Sequence, residues 1–289
     1  MVHSIFNIIK TTFKRFSEDR CGNFSIIISY FALLCSIPLV ALFAFVTTKI
    51  LGDPEIAFLS LNILSDEFFA ELDPLFFERI QYVSHNISNL GWFGLAGSFI
   101  AASFLFSNLI YAINFIFKAN YRKSFFYNRL MEYMIMFVIG IIMLISLSIT
   151  AIWTALHRAL RESEIIAQNI NPKVVSLADN FFLQYLLPFT LTFVVFFILY
   201  KFIPDIKVFT QAAAIAALAS TLLWEIFKRI FAFYVAHFSA VGIVLSQLLQ
   251  GTLTSIIFFM LWISFSLVIL FWGAELAAVL NERLHEKHT

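Results

Sequence analysis

Three ionisable residues, Glu225, Lys228 and Arg229, stand together inside an otherwise apolar stretch. The glutamate precedes the two cations by three and four residues, so all three side chains can pair along one face of a helix. A charge at the centre of a spanning helix costs at least about 2.5 kcal/mol and usually faces a partner or a wet cavity. The spacing therefore indicates a substrate path through a membrane. The alternative is that residues 208–226 cross and the charges snorkel at the outer interface.

The sequence contains no motif that predicts a catalytic, metal or cofactor site. HExxH, paired CxxC, phosphate-binding loops and nucleophile elbows are all absent, and the six histidines are scattered. A metal nuclease needs clustered acidic and histidine ligands. Basic and aromatic residues alternate between 118 and 129, which fits a membrane anchor better than an RNA groove. We therefore expect no catalytic residues, no metal, no cofactor, no nucleic-acid partner and no enzyme activity.

Other polar or special residues receive structural interpretations. Pro38 and Pro188 can each free a backbone carbonyl and kink a predicted spanning helix. Cys21 and Cys35 do not form a CxxC pair and are interpreted as packing residues. Glu275 closes the last apolar run at a helix C-terminus, where an acid opposes the helix dipole. We therefore expect a cationic partner for Glu275.

The elements that position these residues must lie in a bilayer. Apolar side chains make up 61% of the 289 residues and charged ones 13%, whereas soluble domains carry about 25% charged residues. A spanning helix needs about 20 mostly apolar residues. We predict an all-α polytopic membrane protein, one domain over residues 1–289, with six spans at 24–48, 92–117, 133–156, 180–200, from about 208 onward, and 252–274.

Charge distribution predicts the orientation. Short basic segments stay in the cytoplasm, and the N-terminal segment carries Lys10, Lys14, Arg15 and Arg20. The connection between the first two spans is acidic, so residues 53–90 are expected outside. With six spans, both termini are then cytoplasmic, and Cys21 should be reachable from that side.

Two segments outside the spans are predicted to be helical. Residues 3–16 place apolar side chains on one stripe and basic ones elsewhere, which suits a helix in the membrane interface or one docked on the bundle. Asp53-Pro54 and Asp73-Pro74 resemble helix starts, so short outer helices are expected between the first two spans.

Several motifs give the chain a resemblance to the YihY/BrkB family of bacterial inner-membrane proteins. They are SYFALLCSIP at 29–38, LYKFIP at 199–204, WEIFKRIFAFY at 224–234, LW at 261–262 and GAEL at 273–276. The chain departs from the family at 250–251, where Gln-Gly replaces Tyr-Gly, and the stretch from Phe238 to that glycine is longer.

The resemblance implies a six-helix inner-membrane protein surrounded by lipid. Some family members are associated with envelope integrity or with export of lipid-linked precursors, which implies transport of a lipid or lipid-linked substrate. The alternative is a non-transporting scaffold for an envelope protein partner. The family is sometimes labelled a ribonuclease, but this sequence contains no cluster of residues typical of a nuclease.

Overall fold

The computed structural model describes residues 2–35, 91–119, 127, 129–142, 145, 186–249 and 252–288. Within these residues the chain forms helices and no strand. The helices are α1 (Val2–Glu18), α2 (Cys21–Cys35), α3 (Gly91–Ile116), α4 (129–142), α5 (Leu187–Phe202), α6 (Thr210–Leu249) and α7 (Thr252–His288). The predicted all-helical class is confirmed.

Two of the described helices are long and apolar enough to cross a bilayer, through Thr210–Tyr234 in α6 and Ile256–Glu286 in α7. Shorter apolar helices are Cys21–Cys35, Ala102–Ile116 and Leu187–Phe202. The count of six spans stays a prediction. Pro38 and the expected outer helices between the first two spans lie outside the described residues.

Helices α6 and α7 pack closely where Ser220 of α6 meets Gly273 of α7. Ala212, Ala216 and Ser220, which the sequence places at four-residue intervals, are all fully buried. On α7 the matching position is Gly273, where an added Cβ would lie 1.9 Å from Ser220 Oγ and 2.2 Å from Tyr200 Oη. Glycine is therefore required there by close approach, as small-residue ladders in membrane helices allow.

Three contacts fix the antiparallel alignment of α6 and α7. Near the start of α6, the Phe209 amide donates to Asn281 Oδ1 at 2.8 Å. Further along, Tyr200 Oη donates to the Leu270 carbonyl at 2.9 Å and lies 3.0 Å from Ser220 Oγ. Beyond these, ring contacts join α6 to α7 at residue 262. Residue 209, just before α6, and residues 220 and 227 of α6 therefore lie at the levels of about residues 281, 270 and 262 of α7.

The short connection between α5 and α6 is held by two asparagines from other helices. Asn114 on α3 accepts a hydrogen bond from the Asp205 amide at 2.8 Å, and Asn281 on α7 donates to the Lys207 carbonyl at 3.3 Å. Lys201 Nζ donates to the Val208 carbonyl. These bonds satisfy backbone groups that a buried turn would otherwise leave without partners.

The N-terminal helix α1 docks on α7. Arg15 donates two hydrogen bonds to the Glu282 carboxylate, at 2.8 and 2.5 Å, and this bonding raises the pKa of Arg15. Thr12 is fully buried in the contact. Helix α1 ends before Arg20, whose φ of 52° is the left-handed conformation that commonly terminates helices. The N-terminal helix and the last turns of α7 therefore lie on one side of the bundle.

The docking of α1 overturns one expectation. Cys21, predicted to be reachable from the cytoplasm, is fully buried, and its Sγ lies 3.5 Å from Glu275 Oε1. The start of α2 is covered because α1 and α7 meet directly over it. Cys21 and Cys35 are both buried and do not form a disulfide, in agreement with a packing role.

Candidate functional site

The charged residues of α6 lie on the continuation of its packed face. Ala213, Ala217 and Thr221 follow one another at four-residue intervals and are all fully buried. Glu225 is the next position on the same strip, because residues four apart lie on one side of a helix. Helix α6 is unbroken over 40 residues, so the strip continues past the charges.

Glu225 and Lys228 form an ion pair. Lys228 Nζ lies 2.7 Å from Glu225 Oε1, and each side chain is 21% exposed. Arg229, the third residue of the predicted set, has an exposed side chain. At about 100° per residue it stands on the face adjoining that of Lys228. The structure therefore brings the glutamate and the lysine together and places the arginine beside the pair.

A wall of aromatic rings flanks the ion pair. Trp262 of α7 packs its ring 5.1 Å from that of Phe227, 5.4 Å from Trp224 and 4.8 Å from Phe231. Phe265 adds a further contact with Phe227 at 5.8 Å. Sequence reasoning missed this wall, although the spacing of residues 224, 227 and 231 puts three aromatic side chains along one side of a helix.

The alignment of α6 with α7 shows which residues of α7 lie beside the Glu225–Lys228 ion pair. Residues 252–274 of α7 carry no charge, and Trp262 lies near the middle of that stretch. Because Trp262 contacts Trp224, Phe227 and Phe231, the ion pair lies opposite the middle of the uncharged stretch. The choice between a position inside the bilayer and one at the outer interface stays a prediction.

A buried hydroxyl cluster lies between the ion pair and the α1 side of the bundle. Tyr200 is fully buried, as are Ser220 and Thr221. The Thr221 hydroxyl donates to the Ala217 carbonyl at 2.8 Å, one turn away on the same helix. The cluster is therefore internally hydrogen-bonded and closed to water, whereas the ion pair keeps a fifth of its surface accessible.

A second polar cluster, which sequence reasoning also missed, joins α3 to α4. Arg129 donates to Glu132 Oε2 at 2.6 Å and to Ser103 Oγ at 2.9 Å. The Ser103 hydroxyl in turn donates to the same carboxylate oxygen at 3.1 Å. Glu132 is buried, so these bonds compensate the cost of removing its charge from water. The cluster ties two helices together.

The remaining predicted residues, Pro188 and Glu275, lie outside the charged cluster of α6. Pro188 lies at the start of the described part of α5, two residues after Leu186, whose φ of −72° and ψ of −46° are already helical. Residues 181–185 lie outside the described residues, so the kink expected at Pro188 stays a prediction. Glu275 is fully buried, yet Arg15 gives its hydrogen bonds to Glu282 instead. Among the described residues, Glu275 Oε2 has no hydrogen-bond partner. The expected direct pairing of Glu275 with a cation is therefore not found there.

No group of three or more His, Cys, Asp or Glu side chains that could hold a metal ion occurs within the described parts of the chain. The arrangement at the ion pair offers instead an acid, two cations and a set of rings. Such a set can bind a charged group and an apolar group side by side.

Comparison with known sequences shows which protein family the chain resembles. The profile of the family described as Virulence factor BrkB matches residues 12–289. The chain is 27% identical over 272 residues to a UPF0761 membrane protein of Vibrio campbellii, covering 94% of this chain and 81% of that one. A UPF0761 membrane protein of Vibrio parahaemolyticus is 25% identical over 285 residues, covering 99% and 85%. No solved structure matches the chain.

Proposed function

The chain belongs to the BrkB family of membrane proteins, and we propose that it transports or handles a lipid or lipid-linked substrate of the bacterial envelope. In this proposal Glu225, Lys228 and Arg229 line a polar path through the inner membrane, and the protein neither catalyses a reaction nor binds nucleic acid.

The observation that carries the proposal is a partly exposed ion pair opposite the middle of the uncharged stretch of α7, residues 252–274. Glu225 and Lys228 are each 21% exposed. Desolvating an ion pair often costs more than the pair regains, so a purely structural pair is weakly favoured in such a place. Intramembrane charges of this kind commonly mark substrate pathways. A substrate path through the membrane would explain why the ion pair is partly exposed and why it lies within Thr210–Tyr234, the part of α6 that is long and apolar enough to cross a bilayer.

The chemistry of the surroundings points to an amphiphile. A phosphate-bearing headgroup can compete with Glu225 for Lys228 and Arg229, since cations bind phosphate oxygens as they bind carboxylates. The aromatic wall around Trp262 offers apolar contact within the same few turns. A lipid or lipid-linked molecule presents both kinds of group at once.

The docking of α1 supports the proposed topology. Arg15 of α1 bonds Glu282 near the end of α7, so both ends of the described chain lie on one side. An even number of spans satisfies this arrangement, and the basic N-terminal segment assigns that side to the cytoplasm. We propose cytoplasmic N- and C-termini in a multi-pass inner-membrane protein.

A non-transporting scaffold is the second candidate. It is favoured by the 2.7 Å contact between Glu225 and Lys228, which satisfies both charges internally without a substrate. In that case the pair fixes the register of α6, and the protein anchors an envelope protein partner.

The test is translocation of a fluorescent phospholipid in vesicles containing the purified protein. Glu225→Gln and Lys228→Gln should each lower the protein-dependent rate by about tenfold or more, because either change removes one charge of the path. Glu286→Gln and Lys207→Gln make the same chemical changes at exposed positions and should keep the wild-type rate. If the Glu225→Gln and Lys228→Gln proteins fold and keep wild-type rates, the scaffold becomes the better account.

A further inference from the structure

Helix α1 has two chemically different faces, and one of them is already occupied. Ile8 and Phe16 pack against the core, Thr12 is fully buried, and Arg15 binds Glu282. These positions recur every three or four residues and form one side of the helix. This side is the contact with the bundle.

The other face is apolar and exposed. Phe6 is 62% exposed, Ile9 41% and Phe13 57%, and the three lie along one stripe. Lys10 and Lys14 border this stripe on the side away from the bundle, and both are exposed. Such a stripe with flanking lysines is typical of helices that lie in a membrane surface.

The position of α1 along the bundle identifies what meets this face. The Phe13 ring contacts the ring of Trp272, with centroids 5.7 Å apart. Trp272 lies two residues before the uncharged stretch of α7 ends at residue 274, and tryptophan is enriched at the boundary between hydrocarbon and water. The stripe of α1 is therefore held at the level where acyl chains give way to headgroups.

We propose that the exposed face of α1 is a docking surface for anionic lipids. Phe6, Ile9 and Phe13 enter the edge of the acyl layer, and Lys10 and Lys14 contact the negatively charged headgroups. Charge complementarity selects this occupant. Lys10 and Lys14 are the exposed cations beside the stripe, and Lys14 lies 3.5 Å from the Glu18 carboxylate, whereas Arg15 is already paired with Glu282. The surface is separate from the ion pair of α6 and does not depend on transport.

The first test measures the depth of the stripe in the full-length protein. A spin label is placed on Ile9→Cys, and a control label on Asn7→Cys, which is also exposed but lies toward the lysine side. Each chain is held singly in a nanodisc of phosphatidylglycerol and phosphatidylcholine. The label at residue 9 should collide with oxygen dissolved in the acyl layer, and the label at residue 7 with a water-soluble nickel reagent. Unsubstituted protein, whose two cysteines are buried, provides the blank.

The second test measures lipid preference by counting bound lipids in detergent with native mass spectrometry. Each lysine near an anionic surface contributes about 1 kcal/mol, or about fivefold in affinity. Lys10→Gln and Lys14→Gln should each lower the preference for phosphatidylglycerol over phosphatidylcholine by about fivefold. Lys10→Arg keeps the charge and should keep the preference.

Three results would overturn the proposal. One is a label at residue 9 that stays open to the nickel reagent in anionic nanodiscs. Another is protection of residue 9 only when two chains share a nanodisc, which would make a second copy the occupant. The third is an unchanged lipid preference in both glutamine variants, which would show that Lys10 and Lys14 do not bind anionic headgroups.

Discussion

The two ends of the α6–α7 contact are built from opposite kinds of side chain. Toward α1 lies the packed end, made of Ala212, Ala216, Ser220 and Gly273, where the side chains of Ser220 and Tyr200 lie directly against the glycine. Farther along lies the aromatic end, made of Trp224, Phe227, Phe231, Trp262 and Phe265, where large rings separate the helices. The ion pair belongs to the aromatic end.

This contrast determines which part of the α6–α7 contact can move or admit another molecule. A contact of small residues leaves no room for another group, so the packed end is a fixed point between two helices. Rings on side chains can change rotamer without separating the helices completely. We infer that any passage of substrate past Glu225 and Lys228 uses the aromatic end, with the packed end as its anchor.

The largest expected effect comes from filling the packed end. Gly273→Ala puts a methyl group 1.9 Å from Ser220 Oγ and 2.2 Å from Tyr200 Oη, so side chains or helices must shift. We expect a loss of about 3 kcal/mol in unfolding free energy, at the upper end of typical overpacking costs. Gly97→Ala, with nothing within 4 Å of its new methyl group, should leave stability unchanged or slightly raised. Unfolding in detergent measures both, and equal stabilities would refute the anchor.

Breaking the ion pair should have the next largest effect. Glu225→Ala leaves Lys228 without its partner, which for a fully buried pair costs about 3–5 kcal/mol. Because both side chains are 21% exposed, solvent screening lowers the expected cost to about 2 kcal/mol. Lys228→Gln and Arg229→Gln should destabilise less, since each keeps one cation near Glu225. A Glu225→Ala protein as stable as wild type would contradict a partly buried pair.

A smaller change tests the hydroxyl cluster at the packed end. Tyr200→Phe removes the buried hydrogen bonds of the tyrosine hydroxyl to the Leu270 carbonyl and to Ser220 Oγ. The expected loss is about 1–2 kcal/mol. Tyr30→Phe deletes the same hydroxyl from an exposed ring and should change stability little. Comparable losses in the two variants would show that the cluster adds nothing to the packed end.

The smallest effect concerns the end of α3, which helps to hold the α5–α6 connection beside the packed end. Lys118 has a φ of 51°, which costs a residue with a side chain more than it costs glycine. Lys118→Gly should therefore be more stable than Lys118→Ala by about 1 kcal/mol. Both variants lose the same charge, so the difference between their stabilities measures the cost of the left-handed backbone conformation at residue 118. Equal thermal midpoints would argue against the left-handed turn.

Local spacing was enough to predict several elements. Glu225 and Lys228 stand three residues apart, so a helix places them together wherever it lies. The alanine and serine ladder of α6 and the two-faced pattern of α1 follow from the same 3.6-residue period. The sequence thus predicted the helical class, the ion pair and the two alternative positions of α1, which docks and also exposes a stripe.

Contacts between distant segments could not be predicted in this way. The burial of Cys21 depends on α1 and α7 meeting, and the choice of Glu282 over Glu275 as the partner of Arg15 depends on their exact register. The need for glycine at position 273 arises from Tyr200 and Ser220 on two other helices. Periodicity reports which side of a helix is apolar, but not which helix will cover it.

The most direct test of the polar path is chemical restoration of its cation. Lys228→Cys should lose lipid translocation in vesicles, and an aminoethyl thiosulfonate reagent should return much of the rate by restoring a positive charge there. A methyl thiosulfonate reagent transfers an uncharged methylthio group to the same sulfur, releasing sulfinate, and should return none. The account predicts rescue by the charged reagent alone. Wild-type translocation by unmodified Lys228→Cys, or a thiol at residue 228 that the charged reagent never modifies in the folded protein, would contradict it.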